Sequence, residues 1–307
     1  MKKTVVTYGA LILAMIFWSL SFVWFKQANE TIRPLTIVFM RLVFAVFLLS
    51  AWLILTKKFI RIRKEHRKLF FLLALFEPFL YFLAESQGLT LVSATVGSVI
   101  ISTIPVFVTI GAWIIYREKL RKINYLGIVI SFIGVLIFIL NKNGTLIYSL
   151  KGLLLMFFGV LTAVGYNLTL NRLVGKYNPI FIVNMQNIIG VILFLPVFLI
   201  FDLGELKNTT FSYSNIIPVI ELSVFASCGA FILFAFSVQK LGITRPSIFS
   251  NCIPVFTALF SFIILGDRLT LQSMAGMLIV IAGLVMSQIN GHRKNIDEAS
   301  VLAGKTA

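Results

Sequence analysis

The chain has 307 residues, 59% of them hydrophobic, 12% charged and 30 of them Phe, with a mean hydropathy of +0.99. Soluble domains carry roughly 25% charged residues, so half of the usual charge is missing and a pair of water-soluble domains is excluded. The net charge of +16 invites a nucleic-acid reading, but the basic residues are sorted by loop in a way that sets membrane orientation instead.

Apolar runs of about twenty residues, enough to cross a ~30 Å hydrocarbon core, recur along nearly the whole chain. They predict ten spans, at about 8–25, 35–56, 69–87, 94–116, 123–140, 152–171, 180–201, 215–237, 246–265 and 271–289. The runs are continuous rather than alternating, unlike outer-membrane strands. The expected fold class is therefore an all-α polytopic membrane protein.

Span one opens with "MKKTVVTYGALILAMIFW", a basic start before an apolar run. The run continues to about Phe25 without a small-x-small cleavage site, which favours a signal anchor over a cleaved signal peptide. Trp18 lies deeper than the interfacial zone where aromatic residues anchor a span, and Ser21 follows it. Span two carries Arg41, about six residues or roughly 9 Å inside its first end. The loop "KKFIRIRKEHRK" at 57–68 is the densest basic cluster. Span three holds Glu77, Tyr81 and Glu85 at i, i+4 and i+8, on one broad helical face. Ionised groups at such depth are costly and face a cavity, a cation or a partner. An Arg41–Glu85 ion pair would satisfy two of them; Glu77 has no comparable partner at its depth.

In span four Ser98, Ser102, Pro105 and Thr109 share one face. After the basic loop "REKLRK" come Gly127 and Gly134 in span five, spaced for close helix packing. Span six supplies Tyr166 and Asn167. Glu221 lies near the non-cytoplasmic end of span eight, where water is in reach. In span nine Ser247, Asn251, Pro254 and Ala258 repeat the face of span four, and Gly276 and Gly283 follow in span ten. Each serine–proline face reads either as a gating helix turned to a cavity or as a seam for close packing. Cys228 and Cys252 fall in spans and support no disulfide framework. The tail 291–307 is polar.

Of the 27 Lys and Arg, 20 fall on the side of the N-terminus, 6 on the opposite side and one, Arg41, inside a span. The positive-inside rule then places both termini in the cytoplasm of a cytoplasmic (inner) membrane, and the basic face meets anionic lipid. A shift of 149 residues lays Ile104-Pro105-Val106-Phe107 on Ile253-Pro254-Val255-Phe256, Glu118 on Asp267, Lys119 on Arg268, Leu120 on Leu269, Gly127 on Gly276 and Gly134 on Gly283. About ten of the 34 positions from 104 to 137 are identical. Earlier, "NETIRPL" at 29–35 echoes "VGKYNPI" at 174–180. Equivalent spans are five crossings apart, an odd number, so the copies enter the membrane from opposite sides: an inverted repeat, with 1–145 as the first half and 146–290 as the second. Inverted repeats are typical of secondary transporters, whose sites lie near midplane between the halves.

What is missing prunes other classes. His66 and His292 fall in loops, Asp202, Asp267 and Asp297 lie outside or at the ends of spans, and no P-loop motif occurs. No enzyme activity, metal or cofactor is expected, and no selectivity-filter loop of the potassium-channel kind is present. The expected partners are a small-molecule substrate and the lipid bilayer, with no nucleic acid. Proton coupling through Glu77 or Glu85 and a monomeric or homodimeric state stay open, as does a channel or sensor built on the same bundle.

Across about residues 8–289 the chain resembles the drug/metabolite transporter superfamily, EamA type. The resemblance is carried by "FWSLSFVWFK", by Arg41 after "RPLTIVFM", and by "STIPVFVTIGAWIIYREKL" with its second copy "NCIPVFTALFSFIILGDRL". Arg117-Glu118 departs from the Gly-acid pair that the second copy keeps as Gly266-Asp267. The resemblance implies ten helices in two inverted five-helix repeats, with a cavity formed mainly by spans one, three, four, six, eight and nine. It implies a permease for amino acids, nucleotide-sugar precursors, drugs or other metabolites without naming which. The candidate site residues are Trp18, Ser21, Glu77, Tyr81, Glu85, Ser98, Ser102, Tyr166, Asn167, Ser247 and Asn251, with Pro105 and Pro254 as gating positions. The expected activity is alternating-access export of an amino acid-like or amphipathic compound.

Overall fold

The structure, a computed structural model, describes residues 2–108, 110, 122–140, 146–268 and 270–288. The expectations placed on Thr109, the far end of span four, Arg117-Glu118, Lys119-Leu120, Leu269, His292, Asp297 and the tail 291–307 lie outside them. Ten apolar helices are described: α1 (Lys2–Asn29), α2 (Pro34–Leu55), α3 (Lys64–Leu89), α4 (Ala94–Val108), α5 (Lys122–Ile139), α6 (Leu150–Asn171), α7 (Pro179–Phe201), α8 (Tyr213–Leu241), α9 (Arg245–Leu265) and α10 (Leu271–Gln288). Eight are long and apolar enough to cross a membrane; α4 and α10 are shorter over the described residues. Large apolar side chains such as Phe47, Leu55, Ile192, Ile200 and Leu278 point outward, as a lipid-facing surface requires and a water-facing one would not tolerate. The protein is a polytopic, all-helical membrane protein.

The helix starts follow from the sequence. Pro34 and Pro179 open α2 and α7 after extended residues at Arg33 and Asn178. Proline at the first helical position lacks only an N–H that would be unpaired anyway. The Asn178 side chain accepts from the Ile180 N–H at 2.9 Å, and Ser93 caps α4 by accepting from Val96. The two proline words prove to be helix starts as well. In α4 the helix ends at Ile101, turns through Ser102 and Thr103, and resumes at Ile104. In α9 a tight turn over Ser250–Cys252 precedes a new helical segment from Ile253, with Pro254 in its first turn. Both breaks fall one residue before Ile-Pro, so neither proline forfeits a mid-helix hydrogen bond.

Glycines set the closest approach. A Cβ on Gly127 would stand 2.3 Å from the Ser287 nitrogen and 2.6 Å from the Gly283 oxygen; one on Gly134 would stand 2.6 Å from the Val280 nitrogen and 2.9 Å from the Gly276 oxygen. As the chain advances along α5 its partner retreats along α10, so the two run antiparallel with backbones in contact. Other distant pairs come in mates: α1 packs on α8 and α9 while α6 packs on α3 and α4, and α2 on α8 is matched by α7 on α3. The centre where α1, α3, α6 and α8 converge holds the candidate site.

Candidate functional site

The site begins with a break in α3. Pro78 cannot donate a hydrogen bond, and Glu77 leaves helical geometry at φ −150°, ψ 120°. Its two neighbours are held by glycines. The Phe76 ring lies 2.8 Å from where a Cβ would sit on Gly165 of α6, and Pro78 Cγ lies 2.4 Å from where one would sit on Gly190 of α7. The break is thereby clamped between two helices, and Glu77 is offered to the space between them.

Glu77 reaches a cavity lined by seven helices, α7 not among them. Its wall includes Trp18, Ser21, Arg41, Glu77, Tyr81, Phe82, Glu85, Tyr166, Asn167, Phe231, Phe234 and Ser247. About 60 Å³ of it is open to the centre of a water molecule, room for a few waters. The aromatic side packs on itself: Trp18 meets Phe231 and Phe234 at 5.3 and 5.1 Å between ring centres, and Tyr166 meets Phe231 edge-on at 5.9 Å. Offset and edge-on rings are the favoured arrangements.

The charged groups are arranged unequally. Tyr81 donates to Glu85 Oε1 at 2.8 Å, so that carboxyl is held by its own helix one turn back. Arg41 lies with its guanidinium carbon 4.2 Å from the Phe82 ring centre and donates from Nε to Ser227 Oγ at 2.9 Å. Among the described residues no carboxylate comes within 4 Å of Arg41, so the expected Arg41–Glu85 contact is not a direct ion pair. A ring face and a hydroxyl satisfy the guanidinium instead. Glu77 is buried, and its carboxyl accepts no hydrogen bond from the described residues.

The structure therefore brings Trp18, Ser21, Glu77, Tyr81, Glu85, Tyr166, Asn167 and Ser247 to one wall. Ser98 and Ser102 are buried but turn back on their own helix, donating to the carbonyls of Thr95 and Val99 at 2.7 Å each. Asn251 is buried off the cavity, where Ser250 and Ile253 take the wall positions, and Pro105 and Pro254 also lie off it. Sequence reasoning passed over Phe82, Phe231 and Phe234, which apolar composition hides. It also passed over Asn184, Gln186 and Asn187 of α7, all buried. Their signal was present: three amides in four residues of a helix otherwise almost wholly apolar.

Comparison with known proteins now has a geometry to meet. The model of the EamA-like transporter family matches the chain twice, over residues 6–140 and again over 150–288. The chain belongs to this family. Relatives of this EamA-like protein include an uncharacterized transporter of Archaeoglobus fulgidus, 29% identical with 92% of this chain and 98% of the relative covered. The uncharacterized transporter YcxC of Bacillus subtilis is 25% identical, with 94% of each covered. A WAT1-related chloroplastic protein of Arabidopsis thaliana is 24% identical over 93% of this chain and 70% of its own length. A solved crystal structure shares the fold at TM-score 0.69 and 13% identity, covering 92% of this chain and 98% of that one. Family and relatives together make the chain a multi-pass membrane transporter, and their names point to transport rather than catalysis.

Proposed function

We propose that this EamA-like protein is a secondary transporter working by alternating access, exporting a small amino acid-like or amphipathic compound across the cytoplasmic membrane. Residues 1–145 and 146–290 form two inverted halves around the cavity. Support comes from the two family matches, from the antiparallel glycine contact of α5 with α10, and from the helix break before Ile-Pro in both halves. The loop bias of Lys and Arg supports cytoplasmic termini.

The observation that carries the reading is Glu77: a buried carboxyl on a broken helix, facing a cavity, that takes no hydrogen bond from the described residues. Such a group contacts the substrate or carries a proton. Glu85, tied to Tyr81, is the second acid available for coupling. Pro105 and Pro254 mark where α4 and α9 hinge, and Ser98, Ser102 and Asn251 ride on those helices. Counterflow in proteoliposomes tests the carrier: substrate loaded inside accelerates uptake of labelled substrate, whereas a pore gives no such acceleration. Glu77→Gln should abolish the acceleration or its dependence on pH. A variant with unchanged affinity and pH profile would sink the role given to Glu77.

A further inference from the structure

Gln186 is one of two described residues, with Asn251, whose buried side-chain amide lacks a partner at both atoms. It lies in the middle of α7, fully buried, and neither its Nε2 nor its Oε1 has a hydrogen-bond partner. A buried polar group left unpaired costs about 1–3 kcal/mol, so one that persists calls for a reason. Its neighbours in sequence do have tasks. Asn184 accepts from Ser50 at 3.1 Å, and Asn187 donates to the Ser227 carbonyl at 3.4 Å, both joining α7 to other helices. Gln186 makes no comparable bridge.

Its position is informative. Gly190, one turn further along α7, receives Pro78, which sets Gln186 at the level of the α3 break. Beside it stands the Tyr166 hydroxyl, which interacts with the Gln186 amide but, like it, is buried and short of full hydrogen-bond geometry. Tyr166 in turn shares the cavity wall with Glu77. Groups from α3, α6 and α7 thus gather at one depth, Gln186 behind the wall that Glu77 and Tyr166 share, and all three can accept: the Glu77 carboxyl, the Tyr166 oxygen and Gln186 Oε1.

We propose that these three groups form a recognition pocket for a primary or secondary ammonium on the transported compound, with Gln186 as a specificity-determining residue. The proposal deepens the transport reading and rests on it. An ammonium of the form R–NH₃⁺ offers three N–H donors to three acceptors, and Trp18, Phe82, Phe231 and Phe234 receive its apolar body. A site that hydrogen-bonds N–H groups rejects an analogue lacking them, because its buried acceptors are then left unpaired.

The test is thermal stabilisation of the purified full-length protein by 2-phenylethylamine. Beside it run its N,N,N-trimethyl analogue, which keeps the charge and loses every N–H, as well as 3-phenylpropionate and sodium chloride. The primary amine is expected to stabilise the protein, with apparent affinity about tenfold or more above the trimethyl analogue. Gln186→Met is expected to erase that preference while raising the melting temperature of the ligand-free protein, since an unpaired amide is removed. Gln186→Glu, which keeps an acceptor, is expected to retain the preference. The idea is overturned if the primary amine gives no stabilisation at millimolar concentrations, or if the trimethyl analogue, the carboxylate or sodium chloride does as well. It is also overturned if Gln186→Met lowers the ligand-free melting temperature and keeps the preference, the behaviour of a packing residue. Counterflow reads the carrier and amine discrimination reads Gln186, so each can fail while the other stands.

Discussion

At the scale of single residues the protein separates polar groups that hold it together from groups left unpaired. Asp202, at the end of α7, is almost fully buried and accepts from Arg33 Nε at 3.0 Å and from the backbone N–H and hydroxyl of Thr36 at 3.0 and 2.9 Å. It sits at the N-terminus of α2, where a negative charge also meets the helix dipole. Asp202→Ala should cost about 2–3 kcal/mol, as the loss of hydrogen bonds to a buried charge does. A melting experiment in detergent reads this directly, and Asp202→Asn should recover part of it by keeping one acceptor. Tyr81→Phe makes a quieter change: it removes the donor to Glu85 and should cost about 1–2 kcal/mol. Asp202 lay at a span end in sequence and gave no sign of its partners 166 residues away. Glu77 was legible, because an acid before proline in mid-span has few bland explanations. Gln186 was not, because one amide in an apolar helix carries no direction until its neighbours are placed.

Helices show the same division between what pattern reveals and what contact reveals. Ten spans could be counted because hydropathy needs only the bilayer thickness, and over the described residues their ends agree with the helices within a few residues, save where α1, α3 and α8 run longer; the far end of span four lies outside those residues. Where helices break could be read only in part. The twin Ile-Pro words marked the interruptions in α4 and α9, but suggested a kinked helix with the proline inside. The structure makes each proline an early residue of a new segment, which is the position where proline does no harm. Replacing both prolines by Ala should therefore leave thermal stability nearly unchanged while letting each helix close across its break. If α4 and α9 hinge there, the double variant should bind substrate with wild-type affinity and exchange it several-fold more slowly in counterflow. The α3 break responds oppositely. Gly190→Ala puts a methyl group where Pro78 now stands, an overlap that α3 or α7 must relieve by shifting. Overpacking of this kind costs typically 1–3 kcal/mol. The same shift moves Glu77, so affinity should fall along with the melting temperature.

Taken whole, the molecule is closed by ties on both faces of the bundle, and each tie joins the two halves. On the face of loop 57–68, His66 Nδ1 lies 2.8 Å from the Tyr177 hydroxyl and Lys176 Nζ lies 3.2 Å from His66 Nε2. Lysine can only donate, so Nε2 accepts and the imidazole proton rests on Nδ1, directed to the tyrosine oxygen. On the opposite face Asp202 binds Arg33 and Thr36, and Asn215 donates to Thr31 Oγ1 at 2.7 Å. On the alternating-access reading proposed above, such ties oppose opening on either side, and their relative strength sets which face opens. Removing about 2 kcal/mol from one of them shifts the ratio of open states by roughly thirtyfold. Ser21→Cys, on the cavity wall and in a background without Cys228 and Cys252, reports the shift through a membrane-impermeant thiol reagent. Added from the Asp202 side, the reagent should label the protein at least several-fold faster when Asp202→Ala is present. It should label more slowly when Tyr177→Phe loosens the other face. Equal rates in all three backgrounds would mean that the ties brace the fold and do not govern access, and the carrier's switch would have to be sought in α4 and α9 alone.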